Sequence, residues 1–350
     1  QPRSRGLGDV YKRQTMGYPI IWNAIYHPYH PINIHEWRNY MKLHEYPEEF
    51  RMLITLVSGY MHLPESAVER DYYIVMLLKN LADSEYAEQC VFKGGTSLSK
   101  CYPGSIERFS EDIDLTFLGM DKSDKVCDKT IKKIENIVTC SAKTKKIPEE
   151  RSNRSKSMYV WFETEENKVK LEIGSSVRPD PFSKRELKTY IQEFLESHNG
   201  NDDIERFELE SVSLNVLNIE RTFIDKLMSV KRHAICGTLG NKVRHIYDVT
   251  KLYSLPEIQK FLLDKKELKR LIQVTKETDA YYLNKRKISA AYDPVGSYAF
   301  EDWQQYFTEE IKNTYENLHK ELLYTDIQQN FEDALSVFQG INELLRGIGE

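Results

Sequence analysis

Cysteine is scarce in this chain, and its placement rules out a bridging role. Cys90, Cys101, Cys127, Cys140 and Cys236 are odd in number and include no Cys-x-x-Cys pair. That usage argues against a disulfide framework and fits free thiols in a reducing cytoplasm. Long apolar runs are missing too, so no segment is expected to span a bilayer. There is no surplus of positive charge either. Across 350 residues, 49 Lys/Arg against 54 Asp/Glu leave a formal net charge of −5, which excludes a uniformly basic nucleic-acid binder but leaves room for a local patch. No heptad persists long enough for a coiled coil, and no internal repeat is evident. At 40% hydrophobic and 29% charged residues, the chain can bury a sizeable core, and its length suits two lobes of a globular protein.

The stretch that is most informative runs from Val91 to Phe117, VFKGGTSLSKCYPGSIERFSEDIDLTF. An apolar pair leads into a Lys-Gly-Gly-Thr-Ser turn, Leu98 to Cys101 suits the first turns of a helix, and a Pro-Gly loop precedes Asp-Ile-Asp in an apolar run. Successive side chains of a strand point to opposite faces. Asp112 and Asp114 therefore share one face, roughly 7 Å apart, with Ile113 and Leu115 on the other. Two such carboxylates repel unless a cation sits between them, and Mg²⁺ accepts these oxygens while keeping room for substrate phosphates. Glycines let a backbone approach phosphates closely, and the N–H groups at a helix start favour negative charge. The combination points to metal-assisted phosphoryl or nucleotidyl transfer.

This stretch resembles the Gly-Gly/Ser…Asp-x-Asp signature of the DNA polymerase beta-like nucleotidyltransferases. The fuller string FKGGTSLSKCY…RFSEDIDL is similar to the AbiEii/AbiGii branch, the nucleotidyltransferase toxins of abortive-infection systems. Three later segments match the remaining family motifs in order. KVKLEI (168–173) alternates as a strand with Val169, Leu171 and Ile173 on one face. Its Glu172 is either the polar side of an ordinary strand or, as the resemblance implies, a third carboxylate that completes a metal cage or takes a proton. NIERTFIDKLMSVKRHA (218–234) has helical spacing with Ile219, Phe223, Leu227 and Val230 inward. There Lys226 is either a surface lysine or, by resemblance, a point charge on the triphosphate. In NKVRHIYDVTKLY (241–253), Arg244 and Asp248 stand at i, i+4 and could form a surface ion pair. The resemblance instead carries Asp248 into the active site.

The resemblance thus implies an α/β (α+β) fold, a mixed sheet flanked by helices with a helical C-terminal lobe. It implies Mg²⁺ (or Mn²⁺) on Asp112, Asp114 and Glu172, and an NTP held by Gly94, Gly95, Thr96, Ser97 and Lys226. The NMP would pass to an acceptor such as a tRNA 3′ end, with an antitoxin encoded nearby and no membrane partner. The alternatives are nucleotidylation of a partner protein, or a non-catalytic module of the same fold.

The rest of the chain reads as scaffold. Residues 1–15 (QPRSRGLGDVYKRQT) resemble translated sequencing-adapter read-through and are expected to be a non-native leader, with the biological start at Met16. Residues 16–85 form an N-terminal helical segment, 86–178 the catalytic core and 179–350 a mostly helical lobe. The histidines of 26–31 alternate with prolines, which favours an extended docking arm over a metal site. Helices are expected over 34–60, broken at Pro47, and from Pro64, with Val68, Tyr72, Val75, Met76 and Leu81 buried. Another is expected over 123–140 with Val126, Ile131, Ile134 and Val138 inward. Eleven Lys/Arg against five Asp/Glu between Lys122 and Lys156 make either a solvated helix face with a polar loop at 143–146 or an RNA-backbone contact. Pro179 and Pro181 mark an exit from the sheet. A short helix is expected over 187–197, a strand within 207–217 and a helix from Pro256. Trp303, Phe307, Ile311, Tyr315, Leu318 and Leu322 make an apolar stripe, and Lys285-Arg286-Lys287 is a second possible RNA or partner contact.

Overall fold

Seven strands form one mixed sheet in the order β3-β4-β5-β2-β1-β7-β6. The computed structural model describes residues 42–140, 142–283, 291–321, 323–324 and 330–349. Residues 1–15, the histidines of 26–31, residues 34–41, the 285–287 basic cluster and Leu322 lie outside them.

Helix α1 (Pro47–Met61) begins at the proline, whose missing N–H is no loss in the first turn. It buries Phe50, Leu53, Ile54 and Val57, and it ends at His62 in the left-handed region. Helix α2 (Glu65–Ala82) buries all five of the residues its periodicity marks. Strand β1 (Cys90–Lys93) then leads straight into α3 (Gly94–Cys101), which starts four residues earlier than the apolar spacing indicates. Strand β2 (Asp112–Phe117) lies antiparallel to β1 and parallel to β5 (Val169–Gly174). Ile113, Leu115, Val169, Leu171 and Ile173 belong to the core, which leaves Asp112, Asp114, Lys170 and Glu172 on the opposite face.

Helix α4 (Asp124–Val138) forms with its register displaced by one position at the start: Cys127 is buried and Val126 is 46% exposed. Ser123 caps the helix, and Cys127, Ile131, Ile134 and Val138 keep the 3–4 spacing that Val126 breaks. Residues 143–146 are not a loop. They form β3 (Lys143–Lys146), an exposed edge strand paired antiparallel with β4 (Ser155–Trp161). Lysines suit such an edge because their charge discourages further strand pairing.

The chain also does not leave the sheet at Pro179 and Pro181. β6 (Phe182–Leu187) and β7 (Val212–Leu217) pair antiparallel, and β7 joins β1 in parallel. The helix read from Leu187 starts only at Tyr190, in α5 (Tyr190–Ser197), with Thr189 as its cap. β6 escapes notice because five of its six side chains are not buried, so the apolar alternation is absent. After the short α6 (Asn201–Arg206) and β7, the described chain is helical: α7 (Ile219–Ile235), α8 (Val243–Tyr253), α9 (Pro256–Leu263), α10 (Lys265–Leu283), α11 (Glu309–Glu321) and α12 (Phe331–Arg346). Trp303 is buried just before α11 rather than within it, and its indole N–H donates to the Tyr298 carbonyl at 2.8 Å.

Candidate active site

The open face of β2 and β5 assembles the site. Register places Asp114 beside Glu172 on one side and beside Lys93 on the other, while Asp112 is level with Lys170. All three acidic residues are half-buried. Burial pushes the Asp112 and Asp114 carboxyls upward from their ordinary range. Arg244 draws Asp112 back, and Lys93 draws Asp114 back, while Glu172 pushes both further up. Among the described residues neither aspartate joins an ion pair; the salt bridges of this region run past them. Glu172 instead pairs with Lys170 at 2.5 Å, and Lys170 also holds Glu150 at 2.8 Å.

Gly94 has φ +89°, which glycine adopts without strain, and a methyl built there would lie 2.1 Å from Asp114 Oδ2. The helix start is therefore pressed against the carboxylate. The Thr96 and Ser97 hydroxyls point inward: Thr96 Oγ1 donates to the Asp112 carbonyl at 2.5 Å, and Ser97 Oγ donates to the Gly94 carbonyl at 3.0 Å. What this turn leaves for a ligand is its backbone N–H groups, which have no partner inside the helix.

Lys226 and Asp248 are not surface residues. Asp248 is fully buried and takes Lys226 Nζ on Oδ2 at 2.7 Å. It also accepts a two-pronged grip from Arg108, with Nε to Oδ1 and Nη2 to Oδ2 both at 2.7 Å. The i, i+4 partner Arg244 is exposed, and Asp248 is not paired with it. Burial would push the Asp248 carboxyl up, but the charges and hydrogen bonds of Arg108 and Lys226 outweigh it and hold it well below the usual range. Lys226 is lowered by its own burial, against the pull of Asp248.

Arg108 is the residue the sequence motif contains but does not explain. Its partner is 140 positions away, and nothing in the local string signals the pairing. Lys93 and Lys242 were equally silent. Burial lowers Lys242, while the field of Asp114 and Glu172 raises it.

Mg²⁺ is commonly held by one or two carboxylates plus phosphate oxygens. Asp112 and Asp114 fit that pattern, being on one face of β2 and not neutralised by an ion pair among the described residues. No group of three or more His, Cys, Asp or Glu side chains suited to a metal exists among the described residues.

A sequence model of the nucleotidyl transferase AbiEii toxins, type IV toxin–antitoxin systems, matches residues 76–337, and the chain belongs to this family. It is accordingly a nucleotidyltransferase toxin, and membership brings with it an NTP substrate and an antitoxin partner. No curated relative matches the chain. Among solved structures, MenT4, a nucleotidyltransferase toxin from Mycobacterium tuberculosis H37Rv, aligns with 84% of this chain and 98% of its own, at 16% identity and a TM-score of 0.45. A Helicobacter pylori protein described as a candidate nucleotidyltransferase covers 74% and 98%, at 19% identity and 0.35. No helix of the described residues is long and apolar enough to cross a membrane.

Proposed function

We propose that the protein moves an NMP from an NTP to the 3′ end of an RNA, a tRNA being the preferred acceptor, and that this activity arrests growth in a cytoplasmic abortive-infection response to phage. The observation that carries the reading is a pair of half-buried carboxylates, Asp112 and Asp114, with no ion-pair partner among the described residues, beside a helix start and a buried cation cluster.

In this reading Asp112 and Asp114 would hold Mg²⁺, with Mn²⁺ as a substitute, which would supply charge neutralisation and Lewis acidity at the attacking hydroxyl. The N–H groups of the Gly94-Gly95-Thr96-Ser97 turn receive the triphosphate, and Lys226 adds a positive charge. Glu172 lies level with Asp114 and accepts the proton of the acceptor hydroxyl. That oxygen bonds to the α-phosphorus, the bond to the β-phosphate oxygen breaks, and pyrophosphate leaves. Positioning and charge provide the rate, since no covalent help is needed from the protein. The helical C-terminal half closes over the nucleotide.

RNA is favoured as acceptor by a row that continues from the site. Asp112 is level with Lys170, then Tyr159 on β4 and Lys145 on β3. The test is to incubate the protein with cell lysate, Mg²⁺ and each labelled NTP in turn. Label in RNA supports the reading, label in protein replaces the acceptor, and no Mg²⁺-dependent pyrophosphate release would leave a binding module.

A further inference from the structure

We propose that Arg108 is a positioning residue for the transfer reaction: it fixes the Asp248 carboxylate so that Lys226 is aimed at the triphosphate, while touching no substrate itself. The inference rests on the reading of Asp112 and Asp114 as the NTP site.

Four observations carry it. First, the guanidinium meets Asp248 with two parallel bonds of 2.7 Å, the fork geometry that fixes a carboxylate in orientation as well as place. Lys226 then takes a third bond at 2.7 Å, on Oδ2, so the direction of Asp248 sets the direction of the ammonium.

Second, Arg108 is itself held. Its Nη1 donates to the Phe109 carbonyl at 2.9 Å, and only 4% of the residue is exposed. A methyl at Gly95 would lie 2.8 Å from Nη2 and 2.6 Å from Ser110 Oγ. The two glycines of the motif thus have different reasons: Gly94 makes room for Asp114, and Gly95 makes room for the fork.

Third, the contact joins parts of the chain that carry different halves of the site. Arg108 lies in the loop that runs directly into β2 and its aspartates, whereas Lys226 and Asp248 come from α7 and α8. A second pair, Lys251 on α8 with Glu107, braces the same loop.

Fourth, Lys226 is shared between two carboxylates: it bonds Asp248 and also feels the field of Asp114, so the ammonium that Asp248 orients acts on the aspartate row. A lysine at position 108 would keep the charge but not the fork.

The test compares wild type with Arg108→Lys and Arg108→Ala. Each is assayed for Mg·NTP-dependent pyrophosphate release with acceptor RNA, well below its own Tm and per folded molecule. Arg108→Lys is expected to lose kcat on the order of a hundredfold, as a misaimed group does, with the KM for NTP changed only a fewfold. Arg108→Ala is expected to regain rate when guanidinium is added below denaturing concentrations, and not with methylammonium. If Arg108→Lys keeps wild-type kcat at a lowered Tm, the fork is only a clasp between elements and the inference falls, while the site reading stands. If wild type itself neither binds NTP nor transfers nucleotide, the site reading fails and takes the inference with it. Should the alanine variant not fold, the kcat and KM of the lysine variant decide alone.

Discussion

Asp114 lies between Lys93 and Glu172 in one row across β1, β2 and β5. Neighbouring strands are about 4.8 Å apart, so a cation and two carboxylates share a narrow band of sheet with Asp112 one step along. Lys93 and Lys226 together do not offset the desolvation and the repulsion from Glu172 and Asp112, and the Asp114 carboxyl is displaced upward, with burial the main cause.

Asp114→Asn is therefore expected to raise the Tm of the metal-free protein at neutral pH while lowering transfer on the order of a thousandfold, as removal of an electrostatic group does. The sign follows from linkage. A carboxyl raised in the fold is charged at a cost at neutral pH, and the cost vanishes once the group is protonated in both folded and unfolded states. The stability gain of the variant should shrink as pH falls through the folded pKa towards the unfolded value. Thermal scans from neutral to acid pH without divalent ions check it; a variant less stable than wild type at neutral pH would contradict it.

Lys226→Ala leaves Asp248 with Arg108 alone. Asp248 keeps its fork, so no buried charge is left unpaired, and the loss should be that of one hydrogen bond to a charged group, about 1.5–3 kcal/mol. NTP affinity should fall while Mg²⁺ binding persists. Urea titration and NTP titration measure the two effects separately. A loss of stability below half a kcal/mol would mean that Lys226 does not bear on Asp248.

Gly94→Ala forces a methyl towards Asp114 Oδ2 in a left-handed backbone conformation. The conformation alone costs about 1–2 kcal/mol. Activity should drop further than stability explains, because Asp114 must turn away. Gly104→Ala is the control: it also has positive φ but nothing within 4 Å of the added atom, so it should lose stability and keep the per-molecule rate.

The lysines of β3 separate by face. Lys143 and Lys145 are level with Trp161 and Tyr159, on the side of Lys170 and Asp112, whereas Lys146 is level with Met158 on the core side. Lys143→Gln with Lys145→Gln should weaken RNA binding and make log affinity against log salt shallower by roughly 0.7 to 0.9 per lost phosphate contact. Lys146→Gln should leave the slope unchanged. Equal slopes for both variants would remove this face from the acceptor path and favour a protein acceptor.

Sequence alone was enough for the carboxylate strand, the KVKLEI strand and the helices around Lys226 and Asp248, because alternation and helical spacing are local properties of the chain. It was enough for the fold class and the family as well, since the motifs occur in order. It was not enough for β3 and β6: four exposed polar residues such as Lys-Thr-Lys-Lys carry no apolar pattern, and only pairing with β4 makes them a strand. Nor could it name the partners of Asp248. At i, i+4 the near partner was Arg244, but burial removed that option and gave both carboxylate oxygens to Arg108, 140 residues away, with Lys226 as the third contact. A spacing rule sees neighbours along one helix, whereas a buried charge must be satisfied by whatever the fold brings to it, and only the tertiary structure decides which cations those are.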